Sequence, residues 1–368
     1  MPLRILILEL FKEPSLALVI EDSEWVSVIR CLRHQQLLAR YSYLFKNAGI
    51  FQKLPNYVKH HLRNSEILAD KQYCQVPAEA ESICKLLEKR GIKPIFLKGA
   101  AYALQIDNIA GIGRTFSDLD ILVPKERIEE VERCLSLFGY LPEPLTTYDQ
   151  HYYRNWTHEI PPLRHHSRGT VLDVHHNLIP PISGRAPEIK YFWQQVKVTE
   201  QGFQVLSPAA MALHSLIHLF FNEDFKNGFR DLTDLHLLFS QFVDPDWEVL
   251  MDLAAKTGFM FELMLTCRYT SGLLATSIPS WVMQKTELYK PHGWRIYLLD
   301  FIFLRVLSPQ HPMFQSRLDQ LAAFFALIRG HWLKMPILIL LRHLSVKAFC
   351  AIRDALFGKH QFSPKRPG

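Results

Sequence analysis

The chain has 368 residues, 48% of them hydrophobic and 21% charged. That is enough apolar chain for two or three units with sizeable cores, and it excludes a disordered or low-complexity protein. The net charge of +6 permits an anionic partner such as a nucleotide, RNA or a membrane surface, but is mild for a dedicated nucleic-acid binder. Cys31, Cys74, Cys84, Cys134, Cys267 and Cys350 form no Cys-x-x-Cys, and the early run Ile5 to Leu8 is cut by Glu9. Reduced thiols and a cytoplasmic location are therefore expected. Met335 to Leu341 is stopped by Arg342, so no run reaches the roughly 18 apolar residues of a spanning helix.

Residues 1–90 read as an N-terminal helical region. Trp25, Val28, Ile29 and Leu32 form one apolar stripe, and Tyr57, Val58 and Leu62 another, with Pro55 at a helix start. Ile83 to Arg90 completes a helix that Gly91 ends. Residues 91–200 hold the strands. Ile95 to Leu97 is a short buried strand, Gly99 permits close backbone approach, and Ala100 to Gln105 starts a helix. After a long link, Ser117 to Val123 reads as a strand closed by Pro124. Lys125 to Phe138 is an amphipathic helix, with Ile128, Val131, Leu135 and Phe138 on one face and Gly139 ending it. His151 to Ile160 alternates aromatic and polar residues. It is expected to pair with Val171 to His175 as a hairpin around a basic loop of Arg164, His165, His166 and Arg168. Residues 201–358 read as a C-terminal helical domain, opened by Ser207 as N-cap and Pro208 at N1. Residues 359–368 read as a disordered tail. The expected class is α+β, a small mixed sheet flanked by helical regions.

The chemistry concentrates in a few acids. Asp118 and Asp120 sit at i and i+2 in an apolar run, so on a strand they point to one face. Two such carboxylates repel and are costly to bury unpaired. A divalent cation removes both problems, and Mg²⁺ prefers one or two carboxylates with phosphate and water. The bland alternative is a solvated strand edge or a turn acid. Asp173 is a third acid. It shares a face with Val171 and His175, opposite Leu172 and Val174, on a strand where Asp is disfavoured. His214 and His218 lie at i and i+4 on a helix, which suits a metal, although no His-Glu-x-x-His is present. They also suit buried hydrogen-bonded or substrate-wall roles beside Asp231 and Asp234.

Together, Leu97-Lys98-Gly99-Ala100, Arg114, Ser117-Asp118-Leu119-Asp120-Ile121-Leu122-Val123-Pro124, Gly139-Tyr140 and Asp173-Val174-His175 resemble the nucleotidyltransferase superfamily with a DNA polymerase β-like core. They are most similar to a bacterial group of uncharacterised nucleotidyltransferases. The His214 to His218 helix, Arg230-Asp231 and Asp234-Leu235 also look like that group. The resemblance covers residues 24 to 345 and is specific over 97–175. Ala100 departs from the wider superfamily, which has Ser after the Gly, and the Gly99 to Asp118 link is longer than usual.

The resemblance implies that Asp118, Asp120 and Asp173 are catalytic and hold Mg²⁺ or Mn²⁺, with Asp173 helping to activate the attacking hydroxyl. It implies a nucleoside triphosphate co-substrate contacted by Lys98, Gly99, Arg114 and Ser117, and pyrophosphate as leaving group. The acceptor is a small molecule, a peptide or protein, or RNA, in a pocket built by the C-terminal helices. His175 is read as a site-wall or structural histidine rather than a ligand. Two other readings stand beside this one. Ala100 and the long link suit a non-catalytic member that binds nucleotide or a partner. The charge and the basic loop suit a helical nucleic-acid-binding protein.

Overall fold

The computed structural model describes residues 1–105, 107–142, 145–342, 345–346, 349 and 352. Cys350 and the expected tail 359–368 lie outside the described residues. The chain opens with four helices, α1 (Leu3–Lys12), α2 (Asp22–His34), α3 (Leu38–Asn47) and α4 (Asn56–Glu88). The predicted stripe of α2 is buried at Trp25, Val28, Ile29 and Leu32. A capping box between Glu21 and Glu24 starts that helix.

Strands and helices then alternate: β1 (Ile95–Leu97), α5 (Lys98–Ala103), β2 (Leu119–Leu122), α6 (Ile128–Leu137), β3 (Tyr140–Pro142), α7 (Thr147–Trp156), β4 (Leu163–His165), β5 (Val171–His175), α8 (Lys190–Trp193), β6 (Val196–Val198) and β7 (Gln204–Leu206). Helices then follow: α9 (Pro208–Phe221), α10 (Gly228–Ser240), α11 (Asp244–Thr257), α12 (Met260–Leu274), α13 (Ser280–Glu287), α14 (Trp294–Val306) and α15 (Arg317–Lys334). The class is α+β, as expected. The sheet is mixed, in the order β3-β4-β5-β2-β1-β7-β6. β1 and β2 are antiparallel, while β2 runs parallel to β5 and β1 parallel to β7. The central β1 and β2 are buried at every residue, as strands covered on both faces should be. Their apolar side chains belong to a continuous core shared with α2, α4 and α9. Ser207 caps α9 as expected, its Oγ accepting from the Ala210 amide at 3.4 Å.

One expected element is different. His151 to Trp156 is not a strand but the second half of α7, and the hairpin partner of β5 is β4. The aromatic residues spaced by two are also spaced by four. Tyr152 and Trp156 stack edge-on at 5.9 Å along the helix, and Thr146 caps its start through Oγ1 at 3.1 Å from the Asp149 amide. What survives of the expected hairpin is a single bridge from Glu159 to His175. That one contact matters for the site.

Candidate active site

Three elements converge at the end of the central strands. In the parallel pair, Asp120 on β2 stands opposite Asp173 on β5. Alternation along each strand then sends both carboxylates to one face. Asp118 precedes β2 and lines the same cavity as Asp120. Ser117 Oγ donates to Asp118 Oδ1 at 2.9 Å.

Asp120 is buried, and its Oδ1 accepts from Lys98 Nζ at 2.6 Å and from His175 Nε2 at 2.8 Å. Burial alone would raise its pKa. The Lys98 ammonium and His175 outweigh burial and hold the carboxyl well below the usual range. Lys98 reaches Asp120 from the β1–α5 turn, where it adopts a left-handed φ of 46°. A lysine in that region is strained, and such strain collects at functional sites. Its own pKa is raised, with Asp120 overcoming burial.

Asp173 has the opposite environment. Burial, then the charges of Asp120 and Glu159, push its carboxyl up to about 7. Its Oδ1 is buried without a hydrogen-bond partner. An unsatisfied buried carboxylate oxygen is costly, and a cation at this place would satisfy it.

His175 stands between two carboxylates. Its Nε2 meets Asp120, and its Nδ1 lies 3.3 Å from Glu159 Oε2. Burial opposes its protonation, but these two carboxylates raise its pKa. His158 packs its ring 5.3 Å from that of His175, and burial holds it well below the ordinary imidazole value. Donor atoms of His158, Glu159 and His175 lie within 4.8 Å of one another, a spacing that suits a metal ion. Sequence reasoning missed His158 and Glu159. The period-two pattern around them pointed to a strand, and nothing local marked them as site residues.

Gly99 leaves room for its neighbours in the fold. A Cβ there would lie 2.9 Å from Phe116 Cδ1 and 3.0 Å from Arg114 Nε. The close approach is thus made by the Arg114–Phe116 segment. That segment is fixed to α4 through the Phe116 amide, which donates to Gln72 Oε1 at 2.9 Å. Arg114 Nη1 lies 2.6 Å from Asp234 Oδ2 and 4.0 Å from Asp231 Oδ1. Asp231 also accepts from Arg230 at 2.9 and 3.0 Å. Asp231 and Asp234 therefore pair with arginines and not with His214 and His218. Those histidines share a face of α9 near the site. Burial pushes His214 down to about 3 and His218 well below its ordinary value.

Two cavities flank the Phe116–Asp118 segment. One, of about 250 Å³, is lined by Lys98, Arg114, Asp120, Lys226 and Arg230. The other, of about 520 Å³, is lined by Gln75, Glu79, Arg168 and Thr170. Asp118 lines both.

No curated protein matches the chain. A family model described as an uncharacterised nucleotidyltransferase matches residues 21–275, which contain every residue of the acidic site and its arginine layer. The chain belongs to this uncharacterised nucleotidyltransferase family.

Proposed function

We propose that this protein transfers a nucleotidyl group from a nucleoside triphosphate to a hydroxyl-bearing acceptor in a reaction that requires a divalent cation. One observation carries the reading. Asp120 and Asp173 are register partners on parallel strands, and Asp173 keeps a buried oxygen with no hydrogen-bond partner. An all-oxygen donor set completed by Asp118 fits Mg²⁺ or Mn²⁺. Asp118, Asp120 and Asp173 would hold the ions, which supply neutralisation of phosphate charge and a more acidic acceptor hydroxyl when bound.

The chain's own residues supply the rest. Lys98 and His175 keep Asp120 ionised although it is buried. Lys98 also presents positive charge at the cavity lined by Arg114, Arg230 and Lys226, which suits a triphosphate. Ser117 fixes Asp118. Gly99 lets Arg114 pack against the strand–helix turn. The second cavity, across Asp118, suits the acceptor, although α4 and the β4–β5 turn line it and not the expected C-terminal helices. In the reaction the acceptor oxygen bonds to the α-phosphorus. The bond from that phosphorus to the oxygen bridging it to the β-phosphate breaks, and pyrophosphate leaves. The hydroxyl proton passes to Asp173, whose carboxyl is pushed up to about 7 by burial and the charges of Asp120 and Glu159.

The test incubates α-³²P-labelled nucleoside triphosphates with Mg²⁺ or Mn²⁺, the protein and fractionated cell lysate, beside the Asp118→Asn/Asp120→Asn double variant. Label moving to a fraction only with the wild type supports transfer and identifies the acceptor class. Cation-dependent nucleotide binding without transfer or pyrophosphate release favours the non-catalytic reading. Transfer that persists in the double variant would rule out the acidic site.

A further inference from the structure

Helix α15 is amphipathic in the inverted sense. Towards the body it buries Asp319, Ala322, Ala326 and Gly330. The approach is close, since a Cβ on Gly330 would lie 2.7 Å from the Asn222 carbonyl oxygen. Outward it presents Leu318, Leu321, Phe325, Ile328 and Trp332, in steps of three and four residues, with Trp332 64% exposed. The adjacent α14 repeats the pattern, with Trp294, Tyr297 and Leu304 exposed. Ile337, Leu338 and Leu341 continue it beyond α15. A helix on a water-facing surface normally turns its apolar stripe inward. An apolar face of this extent marks an interaction site.

Charge selects the occupant. Residues 317–368 contain nine Lys and Arg against two Asp, a net +7. The preceding 316 residues contain 33 against 34, a net −1. The entire positive excess of the chain thus lies in the sequence from residue 317 onward, with five of the nine cations outside the described residues. One of the two acids, Asp319, is buried against Arg4 in a bidentate pair at 2.9 Å. On the face itself Arg295 and Arg317 are exposed, so a second copy would bring like charge against like. A nucleic acid would answer the charge but leave the aliphatic side chains in water. An anionic bilayer surface answers both. Apolar side chains enter the acyl boundary, Trp and Tyr sit at headgroup level, and Lys and Arg meet lipid phosphates.

We propose that the α14–α15 face docks in the plane of an anionic lipid surface. The attachment is peripheral, because no helix among the described residues is long and apolar enough to cross a membrane. It places the acidic site next to a bilayer, whichever acceptor that site uses.

The full chain is sedimented with phosphatidylcholine vesicles containing or lacking phosphatidylglycerol, at increasing salt. Co-sedimentation is expected only with phosphatidylglycerol, falling as salt rises. Phe325→Ser/Trp332→Ser and Arg295→Glu/Arg317→Glu alter exposed residues. Each double variant is expected to lower the partition coefficient about tenfold or more, with circular dichroism and thermal unfolding unchanged. In wild-type protein, brominated lipid should quench tryptophan emission, and the Trp332→Phe variant should lose part of that quenching. The proposal is overturned by no sedimentation with anionic vesicles and by full sedimentation of folded double variants. It is equally overturned by a dimer that Phe325→Ser/Trp332→Ser dissolves without any vesicle binding, or by RNA binding without vesicle binding.

Discussion

Asp234 joins two arginines from distant parts of the chain: its Oδ1 accepts from Arg40 Nη1 at 2.7 Å, and its Oδ2 lies 2.6 Å from Arg114 Nη1. All three groups are buried or nearly so. Arg40 comes from α3, Asp234 from α10 and Arg114 from the link that leads to β2. Arg40 also donates to the Ala110 carbonyl at 2.7 Å, on that same link. The pair of ion contacts therefore fixes the long Gly99 to Asp118 connection between the N-terminal and C-terminal helices. Asp234→Ala leaves two guanidinium groups without their shared counter-charge in a dry place. The expected loss is about 3–5 kcal/mol, the usual cost of breaking a buried pair from one side, read by urea unfolding. A loss under about 1 kcal/mol would show that the arginines have other support.

Gly99 and Gly272 make a controlled comparison. Both are helical, but a Cβ at Gly99 meets Phe116 and Arg114, whereas at Gly272 nothing lies within 4 Å. Gly99→Ala is expected to destabilise by about 1–3 kcal/mol through overpacking and to shift Arg114 away from the cavity, lowering nucleotide transfer. Gly272→Ala lies inside α12 and is expected to stabilise by up to about 1 kcal/mol through a smaller unfolded-state entropy. Thermal unfolding of the two variants side by side decides this. Equal behaviour would mean that the Arg114–Phe116 segment yields without cost.

The parts of the fold that could be read from the chain are those with a single matching period. β1, α6 and the start of α9 follow from a short apolar run, an apolar stripe and a Ser-Pro cap. Asp120 and Asp173 stood out because acids are disfavoured in apolar strands, and the register of β2 with β5 brings them side by side. α7 was misread because Tyr152 and Trp156 satisfy period two and period four at once. The partner of Arg114 lies 120 positions away on α10, and a pairing at that separation leaves no local trace. Glu159 and His158 joined the site only because the chain folds back across β5. The close approach at Gly99 was anticipated, but the object that approaches, the Phe116 ring, comes from the fold.

Acid sensitivity should come partly from His236. Its Nδ1 lies 2.8 Å from Thr276 Oγ1, and its ring packs edge-on to Phe11 at 5.2 Å. Burial, and secondly the Arg40 charge, push its pKa down to about 4. The unfolded chain, with an imidazole near 6.5, takes up a proton before the folded protein does. Stability from this site is therefore complete above about pH 6.5 and is lost as the pH falls towards 4, by at most roughly 3 kcal/mol. His236→Gln should flatten that part of the stability–pH curve, measured by denaturant unfolding between pH 7 and pH 4, where ~RT-scale errors are small against the change. A curve of unchanged slope would exclude His236 as a contributor.

Lys98 allows the cation-dependent reading to be tested without removing an acid. Its ammonium sits 2.6 Å from Asp120 Oδ1, so it compensates Asp120 and also adds positive charge where a divalent cation would bind. Lys98→Met removes both effects. Asp120 would keep its contact with His175, and the local field would become more negative. Mn²⁺ affinity, followed by electron paramagnetic resonance, is expected to rise, since a like charge has gone. Nucleotide transfer is expected to fall by about a hundredfold or more, because a preorganised cation facing the phosphates has gone as well. These opposite signs separate a phosphate-facing lysine from one that serves only to stabilise Asp120. In the latter case, Mn²⁺ binding would replace its charge and restore transfer at saturating metal. If the variant transfers label as fast as wild type with Mn²⁺ in excess, Lys98 has no role at the phosphates.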